Sequence, residues 1–449
     1  MKKIQDDSLW YQLVFMTVKF AFSKFYRQTE IRGLDNVPMG EPVIYAPNHQ
    51  CGLMDPLVVL LNRNEPVVFM ARADIFQNKQ AAKFLHFLKI MPVFRIRDGF
   101  ENLGKNEMLF NIAKDVLLDR KKLCVMPEGN HGEQHKLRPL VKGIFRIAFT
   151  AEEALHGNGH VKIVPVGIDH SHFQHAGSDV VLTFGVPIHV EDYLPEYQEN
   201  QAIGLNTIRE RLAGDLTCLM HDIRSEKNYD LIYTLCCLGA PAYLEVQKEK
   251  GISPSASKRA GRYFDARKAI GLHLDELDQA KSLQLEEWKK QCAHLNQLPY
   301  YADEIATWME YKPGFPESFC LGLISLPFLP GMLLNTPAWL LNRKICKGIE
   351  DKQMHSTFAF ICGFIVNPLV YLLTAIIICL VSASTVPNTL GLLILLGIYG
   401  IMAERWRQRM RLPFRNARYA FGKKHELIKT CRQDYRQLKQ SIKSWICTW

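Results

Sequence analysis

A histidine and an aspartate lie six residues apart between two apolar runs, and together they could form an acid–base site. Residues 48–56 are Asn-His-Gln-Cys-Gly-Leu-Met-Asp-Pro, preceded by the apolar run 43–46 and followed by the apolar run 57–61. If Asp55 orients and charges His49, the imidazole becomes a general base that can take a proton from an alcohol. That chemistry would serve an acyl or phosphoryl transfer.

The same segment has a structural alternative. An aspartate followed by a proline at the start of an apolar run is a favourable helix N-terminus, with Asp55 as the N-cap and Pro56 at the first helical position. His49 would then be an ordinary loop histidine. A cysteine nucleophile at Cys51 is a further alternative, although we expect a small residue in a tight turn at this position.

Three more segments coincide with predicted strands or follow them. Residues 93–99 end a strand on which alternation places Arg95 and Arg97 on one face, where they could hold a phosphate. A charged strand end without a ligand is the alternative. Residues 126–135 (Met-Pro-Glu-Gly-Asn-His-Gly-Glu-Gln-His) follow another apolar run, and residues 164–167 (Val-Pro-Val-Gly) form a strand whose proline disfavours a central position.

The histidines of residues 126–135 also suggest a metal site. His131, Glu133 and His135 do not have the His-x-x-x-His spacing of a helical ligand pair, and Gly132 indicates a loop. The sequence therefore predicts no metal ligands and no bound cofactor.

Short apolar runs alternate with helical patterns from about residue 31 to residue 195. Strands are predicted at 43–46, 67–71, 91–96, 123–126, 163–167 and 180–184, and helices between them include 77–88, 104–118 and 144–155. This alternation predicts an α/β domain with a mainly parallel sheet. Such sheets bind ligands in the loops at the strand ends, where the segments described above would lie.

Taken in order, these segments resemble the glycerophospholipid acyltransferase superfamily, which includes glycerol-3-phosphate and 1-acylglycerol-3-phosphate acyltransferases. The family's Asn-His…Asp block is at 48–55, its Phe-x-x-Arg block at 94–97, its Pro-Glu-Gly block at 127–129 and its Val-Pro-Val block at 164–166. The resemblance covers about residues 31–200. Two departures occur, because five residues rather than four separate His49 from Asp55, and Asn130-His131 replace the family's common Thr-Arg.

The resemblance implies a role for each member of the first pair. His49 would be the general base that deprotonates an acceptor hydroxyl for direct attack on an acyl thioester. Asp55 would hold the imidazole tautomer and stabilise the imidazolium. Acyl-CoA or an acyl carrier protein would supply the acyl group as co-substrate.

The resemblance also implies substrate-binding residues for a lysophospholipid or glycerol phosphate acceptor. Arg97, assisted by Arg95, would bind the acceptor phosphate. Glu128 and Gly129 would shape the acceptor pocket, with backbone N–H groups after the glycine available to an anion. His131, Lys136 or Arg138 could substitute for the missing family arginine, and the loss of that arginine leaves a phosphate-free acceptor open.

Two long uncharged runs predict a transmembrane hairpin. Residues 357–383 and 386–403 contain no Lys, Arg, Asp or Glu, and a spanning helix needs about 17–25 apolar residues. Positive charge on both outer flanks predicts that both flanks are cytoplasmic. The apolar stretch 319–341 contains three prolines, so we expect a re-entrant or interfacial element, with a kinked span as the alternative.

The net charge of +10 is concentrated at the C-terminal end of the sequence. Residues 404–449 carry 13 Lys and Arg against 3 Asp and Glu, interleaved with aromatic residues. This composition is typical of a segment on an anionic lipid surface. Nucleic-acid binding is the competing use of such a segment, but its position directly after a membrane hairpin argues against it.

The predicted organisation has five parts. These are an interfacial amphipathic helix at 1–30, an acyltransferase domain at 31–200, a charged helical segment at 201–312, a membrane region with two transmembrane helices at 313–404 and a basic tail at 405–449. We expect a membrane-bound acyltransferase that makes phosphatidic acid from 1-acylglycerol-3-phosphate at the cytoplasmic face. A glycerol-3-phosphate or phosphate-free acceptor is the alternative, and a lipid-binding scaffold is the non-enzymatic one.

Overall fold

The chain divides into two compact units. The computed structural model describes residues 3–61, 66–94, 100–253, 256, 258–298, 302–310, 320, 322–382, 386–420 and 425–449. The first unit comprises residues 1–22, 29–170 and 180–221, and the second comprises residues 23–28, 171–179 and 222–449.

An eight-stranded sheet forms the centre of the first unit. Its strands are β1 (Gln28–Arg32), β2 (Val43–Pro47), β3 (Val67–Arg72), β4 (Ile90–Val93), β5 (Lys122–Cys124), β6 (Lys162–His170), β7 (Asp179–Phe184) and β8 (Ile188–His189). The order is β1-β7-β6-β2-β5-β3-β4, with β8 beside β6. The pairs β2–β5, β2–β6, β3–β4 and β3–β5 are parallel, whereas β6 is antiparallel to β7 and β8. The predicted α/β fold with a mainly parallel sheet is confirmed.

The central strands are buried on both faces, as continuous apolar runs in a parallel sheet require. Every residue of β2 and of β6 is buried. Pro165 lies within β6 opposite Ala46 of β2, so the proline does occupy a central strand. Because β2 and β6 run in parallel, their carboxyl ends lie at the same edge of the sheet.

Seven described helices lie wholly or mainly in the first unit. They are α1 (Leu9–Phe25), α2 (Met54–Leu61), α3 (Lys79–Phe87), α4 (Phe100–Leu118), α5 (Gly143–Leu155), α6 (Leu194–Glu199) and α7 (Gln201–Leu219). The end of α7 packs directly on β6 at Gly167, where an added Cβ would lie 2.5 Å from the Leu219 carbonyl oxygen. The glycine therefore permits this close approach of helix to strand.

The second unit has a helical core. It contains α8 (Tyr229–Glu249), α9 (Arg259–Gln279), α10 (Leu283–Leu295), α11 (Ala302–Glu310) and α15 (His425–Ile446). The final helix, α15, buries Tyr435, Leu438 and Ile442 in this core. On its charged face, Lys443 forms an ion pair of 2.6 Å with Glu249. Part of the C-terminal positive charge is thus paired within the unit.

Three apolar helices complete the second unit: α12 (Leu329–Lys347), α13 (Met354–Val381) and α14 (Val386–Ala420). The segments Gly322–Lys347, Met354–Val381 and Asn388–Arg411 are each long and apolar enough to cross a membrane. Few of the residues in these segments are buried, and several large apolar side chains are exposed, including Leu373 at 60% and Leu395 at 64%. Exposed apolar residues on helices of this length suggest association with a membrane.

The first of these helices contains most of the stretch expected to be re-entrant or interfacial. Pro330 lies in the first turn of α12. A backbone N–H at this position has no acceptor within the helix, so the proline removes no helical hydrogen bond. Pro327 lies in the preceding 3-10 turn. Only Pro337 is inside the helix, so the prolines interrupt the helix less than their number suggested.

Candidate active site

The loop between β2 and α2 brings His49 and Asp55 together, as predicted. His49 lies two residues beyond the end of β2, and its Nδ1 is 2.9 Å from Oδ2 of Asp55. Asp55 lies in the first turn of α2, one residue after the helix begins at Met54. Its carboxylate bonds to groups that precede the helix, so the N-cap alternative does not describe its role.

Asp55 is held by four hydrogen bonds, and with its partners it forms what we call the Asp55 group (His49, Gln50, Cys51, Asp55 and His170). The backbone N–H groups of Gln50 and Cys51 each donate to Oδ2 at 2.7 Å. Nε2 of His170 lies 2.7 Å from Oδ1. A carboxylate only accepts, so the facing nitrogens of both imidazoles carry protons.

This environment fixes the charge of Asp55. The side chain is 0% exposed, and burial alone would raise its pKa. The hydrogen bonds from His170 and His49 outweigh that effect and hold the pKa of Asp55 well below its usual range. The buried carboxylate therefore remains ionised at neutral pH.

Asn48 binds the loop between β2 and α2 to β6. Its side chain is fully buried, its Nδ2 donates to the Ile168 carbonyl at 3.0 Å, and its Oδ1 accepts from the Ile168 N–H at 2.6 Å. The backbone N–H of Asn48 donates to Val166 at 3.2 Å. These bonds extend the pairing of β2 with β6 by one residue and fix the place from which His49 projects.

Glu128 supports the loop from the other side. Its Oε1 accepts the backbone N–H of His49 at 2.7 Å. Its Oε2 accepts the backbone N–H and Nε of Arg138 at 3.1 and 3.2 Å. Burial raises the pKa of Glu128, and these partners oppose that rise. The observed contacts make Glu128 a positioning residue, and its predicted place in the acceptor pocket stays a prediction.

The Pro-Glu-Gly loop passes directly beside His49. Gly129 has φ of +69°, a left-handed conformation that favours glycine. The N–H of Gly132 donates to the His49 carbonyl at 3.0 Å, so this donor is already used. The His131 ring lies edge-on to the His49 ring with centroids 5.5 Å apart. His131 therefore lies next to His49, and its substrate-binding role stays a prediction.

Other predicted residues have different outcomes. Arg95 and Arg97 lie outside the described residues. The Cys51 side chain is 1% exposed, which does not suit a nucleophile. Within the described part of the chain, two groups of His, Asp and Glu have candidate ligand atoms within 4.8 Å of one another. His135 belongs to one of these groups, whereas His131 and Glu133 belong to neither.

Sequence reasoning missed His170 and the structural role of Asn48. His170 is the last residue of β6, the strand next to β2, and polar residues at neighbouring carboxyl ends tend to converge. The sequence contains this histidine close to a predicted strand. Its convergence with Asp55 could be predicted only from the order of the strands, which short apolar runs do not specify.

The assembled geometry is compatible with general-base chemistry. The Nδ1–H of His49 is bonded to an ionised carboxylate, which leaves Nε2 as the basic nitrogen. The His49 side chain is 14% exposed, whereas Asp55 is enclosed. An imidazole held in this way can take a proton from a hydroxyl and return it to a leaving group.

Comparison with known proteins assigns this domain. Residues 28–169 match the family model described as Acyltransferase. This segment is an acyltransferase domain, which confirms the resemblance drawn from the four blocks, and members of the family transfer acyl groups. No curated protein sequence matches the chain.

Among solved structures, the chain is similar to the 1-acyl-sn-glycerophosphate (LPA) acyltransferase PlsC from Thermotoga maritima. The sequences are 18% identical, the match covers 46% of this chain and 79% of that one, and the TM-score is 0.33. Similarity at this level indicates neither substrate nor mechanism for this chain.

Proposed function

We propose that this protein is a membrane-bound O-acyltransferase that transfers a fatty acyl group from a thioester to the hydroxyl of 1-acylglycerol-3-phosphate, giving phosphatidic acid. The observation that carries the proposal is the Asp55 group, in which a buried ionised carboxylate orients His49 within an acyltransferase domain. A scaffold protein would gain nothing from such a group, because burying a charged carboxylate costs free energy.

The proposed reaction needs no covalent acyl-enzyme. Nε2 of His49 takes the proton of the acceptor hydroxyl as its oxygen attacks the thioester carbonyl carbon. The C–S bond then breaks, and the imidazolium returns the proton to the thiolate that leaves. Asp55 stabilises the imidazolium in between, as the aspartate of a serine triad does.

Acceptor recognition is proposed for residues around His49. We propose that His131, whose ring lies against that of His49, contacts the acceptor. The Arg95 and Arg97 pair is proposed to bind the acceptor phosphate through charge-assisted hydrogen bonds. We therefore expect Arg97→Ala to raise the KM for 1-acylglycerol-3-phosphate about tenfold or more and to leave the KM for a phosphate-free lysolipid unchanged.

The three apolar helices support a membrane location. We propose that α13 and α14 cross the membrane as a hairpin and that α12 enters it without crossing. The catalytic domain and the C-terminal helix would then both face the cytoplasm, because basic residues flank both outer ends of the hairpin. Cys447 is exposed near the C-terminus. With the other exposed cysteines, Cys218 and Cys320, changed to serine, an impermeant maleimide should label Cys447 only after the membrane is opened. Labelling in intact cells would contradict this orientation.

The function is tested by acyl transfer with His49→Ala beside His160→Ala. His160 is the matched control, since it also contacts a carboxylate at 2.7 Å but lies outside the Asp55 group. Purified protein is offered 1-acylglycerol-3-phosphate, glycerol-3-phosphate or a phosphate-free lysolipid, each with acyl-CoA and with an acyl carrier protein. The proposal predicts transfer to 1-acylglycerol-3-phosphate that His49→Ala abolishes and His160→Ala preserves.

The other outcomes each contradict a part of the proposal. Preference for another acceptor would support an acyltransferase but contradict the proposed substrate. Equal rates in the wild type and His49→Ala would show that His49 is not the general base. An absence of transfer to any acceptor by folded protein would favour a lipid-binding scaffold.

A further inference from the structure

Three buried side chains meet near the carboxyl end of β6, in a group that the proposed acyl-transfer mechanism does not use. His135 follows the Pro-Glu-Gly loop, Asp169 lies near the end of β6, and His221 lies two residues beyond α7. They are 1%, 2% and 1% exposed, respectively. Segments far apart in sequence thus deliver two imidazoles and one carboxylate to one point inside the first unit.

The distances suit ligands of a single ion. His135 Nδ1 lies 3.4 Å from Asp169 Oδ1, and one candidate ligand atom from each of the three residues lies within 4.8 Å of the other two. The two imidazole rings have centroids 5.2 Å apart and are tilted by 39°. Nitrogen and oxygen ligands that bind zinc at about 2.0–2.2 Å in tetrahedral geometry lie about 3.4 Å from one another.

A second cluster in the same unit provides a contrast, and we call it the Glu152 group (Glu152, His160, Lys162 and Glu191). Its His160 Nδ1 lies 2.7 Å from Glu152 and also contacts Glu191. Lys162 lies 3.1 Å from Glu191, so an internal cation balances the carboxylates. Its His160 side chain is 41% exposed, so solvent can also reach the imidazole.

We propose that His135, Asp169 and His221 bind a divalent transition metal ion, with zinc the best match to their donor atoms. Two neutral imidazoles and one carboxylate are ligands that zinc prefers, and a divalent cation compensates the charge of a buried carboxylate. Three protein ligands leave a fourth position for a water molecule. This proposal does not depend on the proposed function.

The position of the site gives the ion a structural role. Asp169 lies between Ile168, which bonds to Asn48, and His170, which bonds to Asp55. Neighbouring residues of a strand point to opposite faces, so the ion would hold β6 from the face opposite the Asp55 group. It would also tie β6 to the loop that contains Glu128 and to the end of α7.

The test is the metal content of the purified full-length protein. The wild type should contain about one zinc ion per chain, and His221→Gln should contain at least about tenfold less. His160→Gln is the matched control, because it removes a histidine that also contacts carboxylates, and it should retain the wild-type content. After chelation, Co²⁺ should restore one ion per chain with the visible absorption of a tetrahedral site.

A second variant keeps the test decisive if His221→Gln fails to fold. His221→Cys supplies a thiolate ligand in place of the imidazole, so its Co²⁺ form should gain a sulfur-to-cobalt charge-transfer band in the near ultraviolet. Wild-type protein that contains no metal and takes up neither Zn²⁺ nor Co²⁺ would overturn the proposal. Equal metal contents in His221→Gln and the wild type would overturn it as well, and an ion pair between a protonated His135 and Asp169 would then explain the group.

Discussion

The Asp55 group and the Glu152 group lie at opposite ends of one strand, β6. His170 is the last residue of that strand and Lys162 is the first. In both groups a histidine nitrogen lies 2.7–2.9 Å from a carboxylate oxygen. A short histidine–carboxylate distance therefore does not by itself distinguish a base from a structural ion pair.

The two groups differ in how the partners are shared. In the Asp55 group, two imidazoles and two backbone N–H groups surround one buried carboxylate. In the Glu152 group, two carboxylates surround one imidazole that is 41% exposed. The Asp55 group also lies at the carboxyl edge of the parallel strands, where such sheets bind ligands. Burial and position in the sheet thus distinguish the proposed catalytic group from a structural ion pair.

The largest effect that sharpens this comparison is expected from Asp55→Asn. The amide can place its NH₂ toward His49 and favour the wrong imidazole tautomer, as happens when the triad aspartate is changed. We expect kcat for acyl transfer to fall by about 10³–10⁴. Initial rates at saturating substrate measure this change.

The matched control for that variant is Glu152→Gln. It makes the same carboxylate-to-amide change at the other end of β6, where Glu152 bonds to His160 and to the Val161 N–H. Its kcat should stay within about twofold of the wild type. Similar losses of kcat in both variants would mean that the position on β6 has no bearing on catalysis.

A smaller effect is expected from His170→Phe. The change keeps a ring of similar shape but removes one charge-assisted hydrogen bond of 2.7 Å to Asp55, and such bonds contribute about 1.5–3 kcal/mol. We expect kcat to fall by about 10–100-fold, with KM unchanged, because His170 acts on the base through Asp55. A change confined to KM would instead place His170 in a substrate-binding role.

The pH dependence of stability tests the charge of Asp55 directly. Its lowered pKa adds stability above the ordinary carboxyl range of about 4, and that stability is lost as the pH falls toward the folded-state pKa. The wild type should therefore exceed Asp55→Asn in Tm by less at pH 3 than at pH 7. A difference that stays constant across this range would mean that Asp55 is not ionised in the folded protein.

The strands β2 and β6 could be predicted because each is a largely apolar run whose residues are all buried. The sequence did not predict β1 or β8, which are only partly buried. The run at 43–46 became β2 (Val43–Pro47), and the run at 163–167 became the longer β6. Within the site, His49 and Asp55 could be predicted because they flank one loop. His170 could not, since its contact with Asp55 depends on β6 lying next to β2.

Charge patterns were less informative in the second unit. The sequence of α15 is rich in Lys and Arg, which drew attention to its polar face, yet Tyr435, Leu438 and Ile442 follow the three- and four-residue spacing of a buried helix face. In α12, the number of prolines suggested an interrupted helix. Their effect depends on position within the helix, which the sequence did not specify.

The smallest effect, and the one that most sharply separates the two groups, is expected from His160→Gln. Its imidazole is 41% exposed, and exposed ion pairs contribute about 0–1 kcal/mol. We expect the free energy of unfolding to fall by less than about 1 kcal/mol and kcat to remain at the wild-type value. Thermal unfolding and initial rates on one preparation measure both quantities. A loss of kcat as large as that of His170→Phe would show that the amino end of β6 also acts on the base, and burial with edge position would no longer explain the difference between the groups.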